Sequence, residues 1–324
     1  MSAPRMNGPE TPLFLLAPPR SFTSIVCAML GQHPDMYGFP ETQLFVSETL
    51  LEQWGGKLQA KPTMKHGLLR TVAELYFGGQ TEATINLASG WLRRRAHFNT
   101  GHLFELLVER VSPRMPVEKS PNVVYHIGSL RRMLRFFPHS RFIHLLRHPK
   151  GHGESNVAFC KKITALGGRP HPWMFSSFLH SPDAGNRCAK LVRTGVLDPQ
   201  HGWYVHNLNI LKFLEYVPGK QQMRIRGEDL LANPDGILRE IADWLGLRSD
   251  EKAVADMKHP ERSPYAFIGP PGARWGNSDF FLKDPELRSD RLKPQSLEGT
   301  PSWLDSGQQL LPEVKELARQ FGYN

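Results

Sequence analysis

The sequence is poor in cysteine. Its three, Cys27, Cys160 and Cys188, are widely separated and odd in number, which argues against both a disulfide framework and a zinc site of the CxxC kind. Histidines number 14, yet no HExxH or other paired metal motif is among them, so no metal is expected. No apolar run approaches the length of a membrane span, and the opening MSAPRMNGPETP is polar and proline-rich with no hydrophobic signal region. A cytoplasmic, soluble protein with no membrane partner is the expectation. There is no internal repeat, low-complexity block or lysine-rich tail, and the 27 prolines and 28 glycines are dispersed, which excludes a collagenous or disordered class.

What is present is ample for a buried core: 324 residues, 40% of them apolar. That size fits one large domain or two small ones. Lys and Arg outnumber Asp and Glu, 40 to 31, for a net charge of +9, which fits solubility or an anionic ligand. The arginines of WLRRRAHF (91–98) and LRRMLRFF (130–137) are interleaved with apolar residues. They read as solvated faces of amphipathic helices, so no nucleic-acid partner is expected.

Apolar runs then alternate with helical periods. LFLLA (13–17) reads as a central strand, and SIVCAMLG as a helix that Gly31 ends. A helical insertion follows over about 43–110. MPVEKSP (115–121) is a second strand, and a helix runs through IGSLRRMLRFFP. Phe142–Leu146 is the clearest strand, ending in Arg-His-Pro and entering a helix at GHGESNVAFC. Residues 161–185 have no period and several prolines, and read as a loop or lid. A helix resumes around HGWYVHNLNILKFLEYV, and QQMRIRGEDLL offers a strand and turn. NPDGILREIADWLGL is a well-signalled helix, with Asn233 as cap, Pro234 at its first position and Gly246 as stop. A tail rich in Pro and Gly (260–305) precedes a last helix through LPEVKELARQFG. The alternation predicts an α/β fold, with a P-loop-like central parallel sheet flanked by helices, in a single domain over 1–324.

Two stretches carry chemistry. In LLAPPRSFTS a strand runs through a polar turn into a helix, whose free N–H groups and dipole favour an anion. Arg20 adds a charge there, and Ser21, Thr23 and Ser24 add hydroxyls. The GxxxxGK[ST] pattern of an ATP-binding P-loop is absent, and the same layout would also serve as an ordinary N-cap turn. The second stretch is the strand that ends at Arg147, with Ser155 eight residues on. An arginine at the carboxyl end of a parallel strand lies on the rim where α/β sheets bind ligands. Two anion sites on adjacent strand ends suit a ligand with two separate phosphates.

These residues resemble the sulfotransferases that use 3′-phosphoadenosine-5′-phosphosulfate (PAPS). LLAPPRSFTS resembles their 5′-phosphosulfate loop, RFIHLLRHPKGHGESN their 3′-phosphate motif, and IRGEDLLANPDGILREIADWLGL a further shared segment. VEKSPN and GQHPDMYGFPETQLF, which hold Lys119 and Glu41, resemble segments of tyrosylprotein sulfotransferases and of sulfotransferase domains in polyketide assembly lines. Together the matches cover most of residues 13–247, in order. Phe22 stands where the family usually has Gly, and Gly227 where Tyr is common. The Phe22 ring must therefore point away from the phosphate, or the loop must be remodelled.

The resemblance implies sulfuryl transfer from PAPS to an acceptor hydroxyl, leaving adenosine 3′,5′-bisphosphate and needing no metal. Arg20, the 21–24 loop including Phe22, and Lys119 would hold the 5′-phosphate and the transferred group. Arg147 and Ser155 would hold the 3′-phosphate. Glu41 would be the general base, although the same residue could cap a helix starting near Thr42, and Lys119 could be an ordinary strand-end lysine. His33, His148 and His152 are rival bases. RWGNSDFFL (274–282) resembles a loop that closes over the nucleotide, within about 260–290, where Arg274 and Gly276 would touch the 3′-phosphate or adenine and Trp275 would stack or simply pack. The acceptor would be a small or carrier-bound hydrophobic alcohol or phenol, given Trp54, Phe77, Trp91, Trp173, Phe175 and Phe178 in the insertion and lid; the same aromatics could equally be core, and a sugar or peptide tyrosine is the other acceptor class. A nucleotide-dependent kinase and a non-catalytic nucleotide binder are the alternatives.

Overall fold

Leu13–Leu16 is the middle strand of a five-stranded parallel sheet in the computed structural model, which describes residues 11–55, 62–165, 199–288, 292 and 295–324. The strands are β1 (Leu13–Leu16), β2 (Met36–Gly38), β3 (Met115–Glu118), β4 (Arg141–Leu146) and β5 (Gln222–Arg226), in the order β2-β3-β1-β4-β5. Every pairing is parallel, and β1 lies in register with β4 from Leu13↔Arg141 to Leu16↔His144. Parallel strands need crossovers, and helices supply them on both faces. That is why β1 is apolar at every position rather than alternating.

The period of two still divides the core. Phe14, Leu16 and Phe142 face one cluster, built with α2 (Leu50–Gly55), α3 (His66–Phe77), α4 (Glu82–Arg93), α5 (Thr100–Val111) and α6 (Ile127–Phe136). Leu13, Leu15, Ile143 and Leu145 face the other, with α1 (Thr23–Leu30) and the helix Pro234–Leu245. In the first cluster Phe14, Phe45, Phe104, Phe137 and Phe142 form an aromatic knot with centroid separations from 5.2 to 6.2 Å, within the range of favourable ring pairs.

The helix Pro234–Leu245 starts and stops where its sequence signals lie. Asn233 accepts from the Gly236 N–H, Pro234 opens the helix, and Gly246 closes it at φ 71°. Gly31 ends α1 for a different reason. Its φ is an ordinary −66°, but a Cβ there would come within 2.5 Å of the Gly38 nitrogen. Helix α1 and strand β2 are pressed backbone to backbone at that point.

Three expectations change. β2 is a strand the sequence reading did not contain: it has three residues at the sheet edge, one of them Gly, and shows neither an apolar run nor an alternation. The helix after β4, α7, runs over Pro149–Ala165, so Ser155 lies in its second turn and residues 161–165 are helical rather than lid. The rest of the expected lid, 166–185, with Trp173, Phe175 and Phe178, lies outside the described residues. Finally, Trp91 is buried in the aromatic-rich core, and Trp54 and Phe77 pack against it, so the aromatics of the insertion belong to the core.

Candidate active site

The carboxyl ends of β1, β3 and β4 open into one cavity of about 980 Å³, where ligands bind in open α/β sheets. Thr23, Ser24 and Ile25, the first turn of α1, line it, so the N–H groups that a helix start leaves unpaired stand at its wall. The loop before them is strained. Arg20 has φ 71° and Phe22 φ 62°, in the left-handed region that a residue with a Cβ avoids. Phe22 thus takes a backbone conformation that glycine adopts readily. Its ring turns towards Gly227 and Arg147. The two departures from the family pattern meet.

Arg20 reaches across the cavity mouth. Its Nε donates to Ser155 Oγ at 3.1 Å and its Nη1 to Ser278 Oγ at 2.8 Å, with Asp279 Oδ1 3.9 Å away. Asp279 also forms an ion pair with Lys162. Burial lowers the Arg20 pKa, and the charges of Asp279 and Glu41 oppose that shift. Arg147, at the end of β4, donates from Nη1 to the Arg20 carbonyl, while its Nε has no partner. Burial lowers its guanidinium to about 10, so it remains a cation at neutral pH. Ser21 Oγ is likewise buried and without a partner.

The second half of the site joins the ends of β2 and β3 to α1. The Lys119 side chain is fully buried, and its Nζ donates to Glu41 Oε1 at 2.7 Å and to Ser24 Oγ at 2.9 Å. Ser24 Oγ in turn accepts from the Ser278 N–H at 3.1 Å. Glu41 is 27% exposed and lines the cavity, with its Oε2 accepting from Gln43 Nε2 at 3.2 Å. Its backbone is clamped: the Glu41 N–H donates to the Gly276 carbonyl at 2.6 Å, and a Cβ on Gly67 would lie 2.0 Å from the Glu41 carbonyl oxygen. No helix is capped by Glu41; the short 3₁₀ turn Leu44–Val46 begins after Gln43. Below this group Glu118 is wholly buried, accepting from Thr42 Oγ1 at 2.8 Å and from Ser120 Oγ. Burial raises its carboxyl to about 7, against the pull of the Ser120 and Thr42 hydrogen bonds.

Arg20, Phe22, Thr23, Ser24, Glu41, Arg147, Ser155 and Gly276 all line the cavity, and Lys119 touches two of them. Arg274 does not join them: its side chain is exposed and outside the cavity lining. Trp275 does line the cavity and also packs against the cluster of Ala28, Ala266, Phe281 and Leu282. Of the rival histidines, His33 binds the Arg248 carbonyl away from the cavity. His148 and His152 are buried, which lowers His148 to about 4 and His152 well below the usual histidine range. Ser278, Asp279 and Lys162 escaped the sequence reading, because a contact 258 residues away in sequence leaves no local signal. Among the described residues, no group of three or more His, Cys, Asp or Glu is placed to hold a metal ion, and no helix is long and apolar enough to cross a membrane.

Residues 12–251 match the family model described as "Sulfotransferase family". The chain belongs to the sulfotransferase family. Two solved structures share its fold over nearly their whole length. A sulfotransferase domain from the Synechococcus PCC 7002 olefin synthase has a TM-score of 0.70 at 20% identity, covering 100% of this chain and 98% of that one. A sulfotransferase domain from the curacin biosynthetic pathway has a TM-score of 0.66 at 22% identity, covering 97% and 98%. No curated protein matches the sequence. The sheet described above is thus the P-loop-like sheet of sulfotransferases.

Proposed function

We propose that this sulfotransferase moves a sulfuryl group from PAPS to the hydroxyl of a small or carrier-bound hydrophobic acceptor, with Glu41 as general base and no metal. One observation carries the reading. Lys119 Nζ bridges Ser24 of the anion loop and Glu41, so a donor held on the loop and an acceptor held at Glu41 meet at a single cation. Two further cations, Arg20 and Arg147, line the same cavity and suit the two phosphates of the donor. The structural relatives, a sulfotransferase domain of an olefin synthase and one of the curacin biosynthetic pathway, support a carrier-bound acceptor.

In this reading the acceptor oxygen forms a bond to sulfur as the bond from sulfur to the 5′-phosphate oxygen breaks. The hydroxyl proton passes to the Glu41 carboxylate. Charge growing on the leaving phosphate is met by the Arg20 guanidinium, the Lys119 ammonium and the first-turn N–H groups of α1. Ser155 and Arg147 hold the 3′-phosphate. The products are a sulfate ester and adenosine 3′,5′-bisphosphate.

The test is calorimetric titration with adenosine 3′,5′-bisphosphate in EDTA, beside ADP and ATP with Mg²⁺. Transfer from ³⁵S-labelled PAPS to an alcohol and phenol panel follows. Binding of the bisphosphate without metal is expected, abolished in Arg20→Ala and kept in Glu41→Gln, with transfer lost in both. Binding of ATP with Mg²⁺ alone would replace this reading by a kinase. Equal loss of binding in both variants would remove Glu41 as base.

A further inference from the structure

Phe22 occupies a backbone conformation that disfavours its own side chain. Capping does not compensate, because Phe22 makes no side-chain bond to α1. What the ring does make is a contact with Arg147, whose guanidinium carbon lies 4.4 Å from the ring centroid. On its other side the ring fills the space over Gly227. A Cβ at Gly227 would come within 2.3 Å of Phe22 Cδ2. Gly227 is not among the residues with positive φ, so its backbone does not require glycine; the ring above it does.

Arg147 is held from three directions. Its Nη1 donates to the Arg20 carbonyl, the Phe22 ring covers one face, and its own carbonyl accepts from Trp203 Nε1 at 2.8 Å. Its Nε is buried and without a partner, and the residue lines the cavity. A guanidinium lying on an aromatic ring keeps its N–H edge free for a two-point contact with a phosphate.

We propose that Phe22 is the positioning residue that aims Arg147 at the second phosphate of a nucleoside 3′,5′-bisphosphate, and that Gly227 is the residue that admits its ring. The pair therefore sets the preference for a bisphosphate over a 5′-monophosphate. This rests on the donor-site reading above.

The experiment titrates adenosine 3′,5′-bisphosphate and adenosine 5′-monophosphate into the wild type, Phe22→Gly, Phe22→Tyr, Gly227→Ala and the double variant Phe22→Gly with Gly227→Ala. The readout is the ratio of the monophosphate Kd to the bisphosphate Kd. A purely structural role would weaken both ligands alike and leave the ratio unmoved. Phe22→Gly is expected to lower it about thirtyfold, the scale of a desolvated cation–π contact, and Phe22→Tyr to keep it. Gly227→Ala, by pushing the ring aside, is expected to lower it similarly, and the double variant to be no worse than Phe22→Gly. If Phe22→Gly does not fold, Phe22→Asn carries the same comparison, since Asn tolerates the left-handed region. An unchanged ratio in Phe22→Gly, or losses that add in the double variant, overturns the proposal. A wild type that does not prefer the bisphosphate overturns the donor-site reading itself.

Discussion

Asp279 stands where an anionic ligand would have to come. Its carboxylate lies 3.9 Å from Arg20 Nη1, with only 12% of its side chain exposed, and it also pairs with Lys162. It acts as a resident anion between two cations of the cavity. At that separation and an effective dielectric of about 20, one charge pair is worth about 4 kcal/mol before desolvation. An incoming phosphate must displace this partner or bind beside it against like-charge repulsion. Asp279→Asn removes the charge and keeps the shape. If even a third of the gross interaction is released, the bisphosphate should bind about tenfold more tightly. Lys162, freed from its partner, becomes a further cation, so the salt dependence of binding should steepen. The assay is calorimetric titration of adenosine 3′,5′-bisphosphate at about 50 and 200 mM NaCl, where exposed charges are screened to different extents. Weaker or unchanged binding would refute the reasoning. It would mean that Asp279 orients Arg20 for the ligand rather than competing with it.

Lys119→Met should lower kcat by about 10²–10³, the cost of losing one preorganised donor at a developing negative charge; single-turnover transfer from labelled PAPS checks it. Arg274→Ala should leave the bisphosphate Kd unchanged, because that side chain is exposed and outside the cavity lining; a loss in the same titration would restore it to the site. Glu118 predicts a pH dependence of stability. Its folded carboxyl, raised from 4.5 to about 7, keeps its proton where the unfolded chain has released it. Stability from this group is therefore full below about pH 4.5 and falls as pH rises to about 7, by about 3 kcal/mol. Urea denaturation at pH 5 and pH 8 should show that fall in the wild type and not in Glu118→Gln, and a difference of opposite sign would contradict the burial argument. Gly31→Ala should cost about 2 kcal/mol or more, because its Cβ would press on backbone at 2.5 Å; the same denaturation measures it.

The strands that bear the anion residues were legible because central parallel strands are continuous apolar runs. β1 shows this, β4 shows it with His144 as an interruption, and the helix after Asn233 showed its cap, its proline and its glycine stop. β2 was not legible, since an edge strand of Met-Tyr-Gly buries its residues without any pattern. Within the site, Arg20, Ser24, Glu41, Lys119 and Arg147 were found from strand ends and from the family resemblance. The contacts that tie them together were not. Lys119 meets Ser24 across 95 residues and Arg20 meets Ser278 across 258, distances over which only the fold decides. Arg274 shows the converse: a charged residue in a matching segment need not face the cavity, because one turn of chain decides which side chain does.

The contact of Gly31 with Gly38 has a bearing on how acceptors can change. Helix α1 begins at the anion loop, and its far end is locked to β2, which leads the chain back to Glu41 three residues later. One stretch of chain thus forms a closed caliper, with the anion loop on one jaw and Glu41 on the other. The two glycines are its pivot, set at backbone contact. The insertion that follows bears on this caliper where Gly67 presses on the Glu41 carbonyl, so a change of acceptor there must keep that contact if the spacing between the anion loop and Glu41 is to hold.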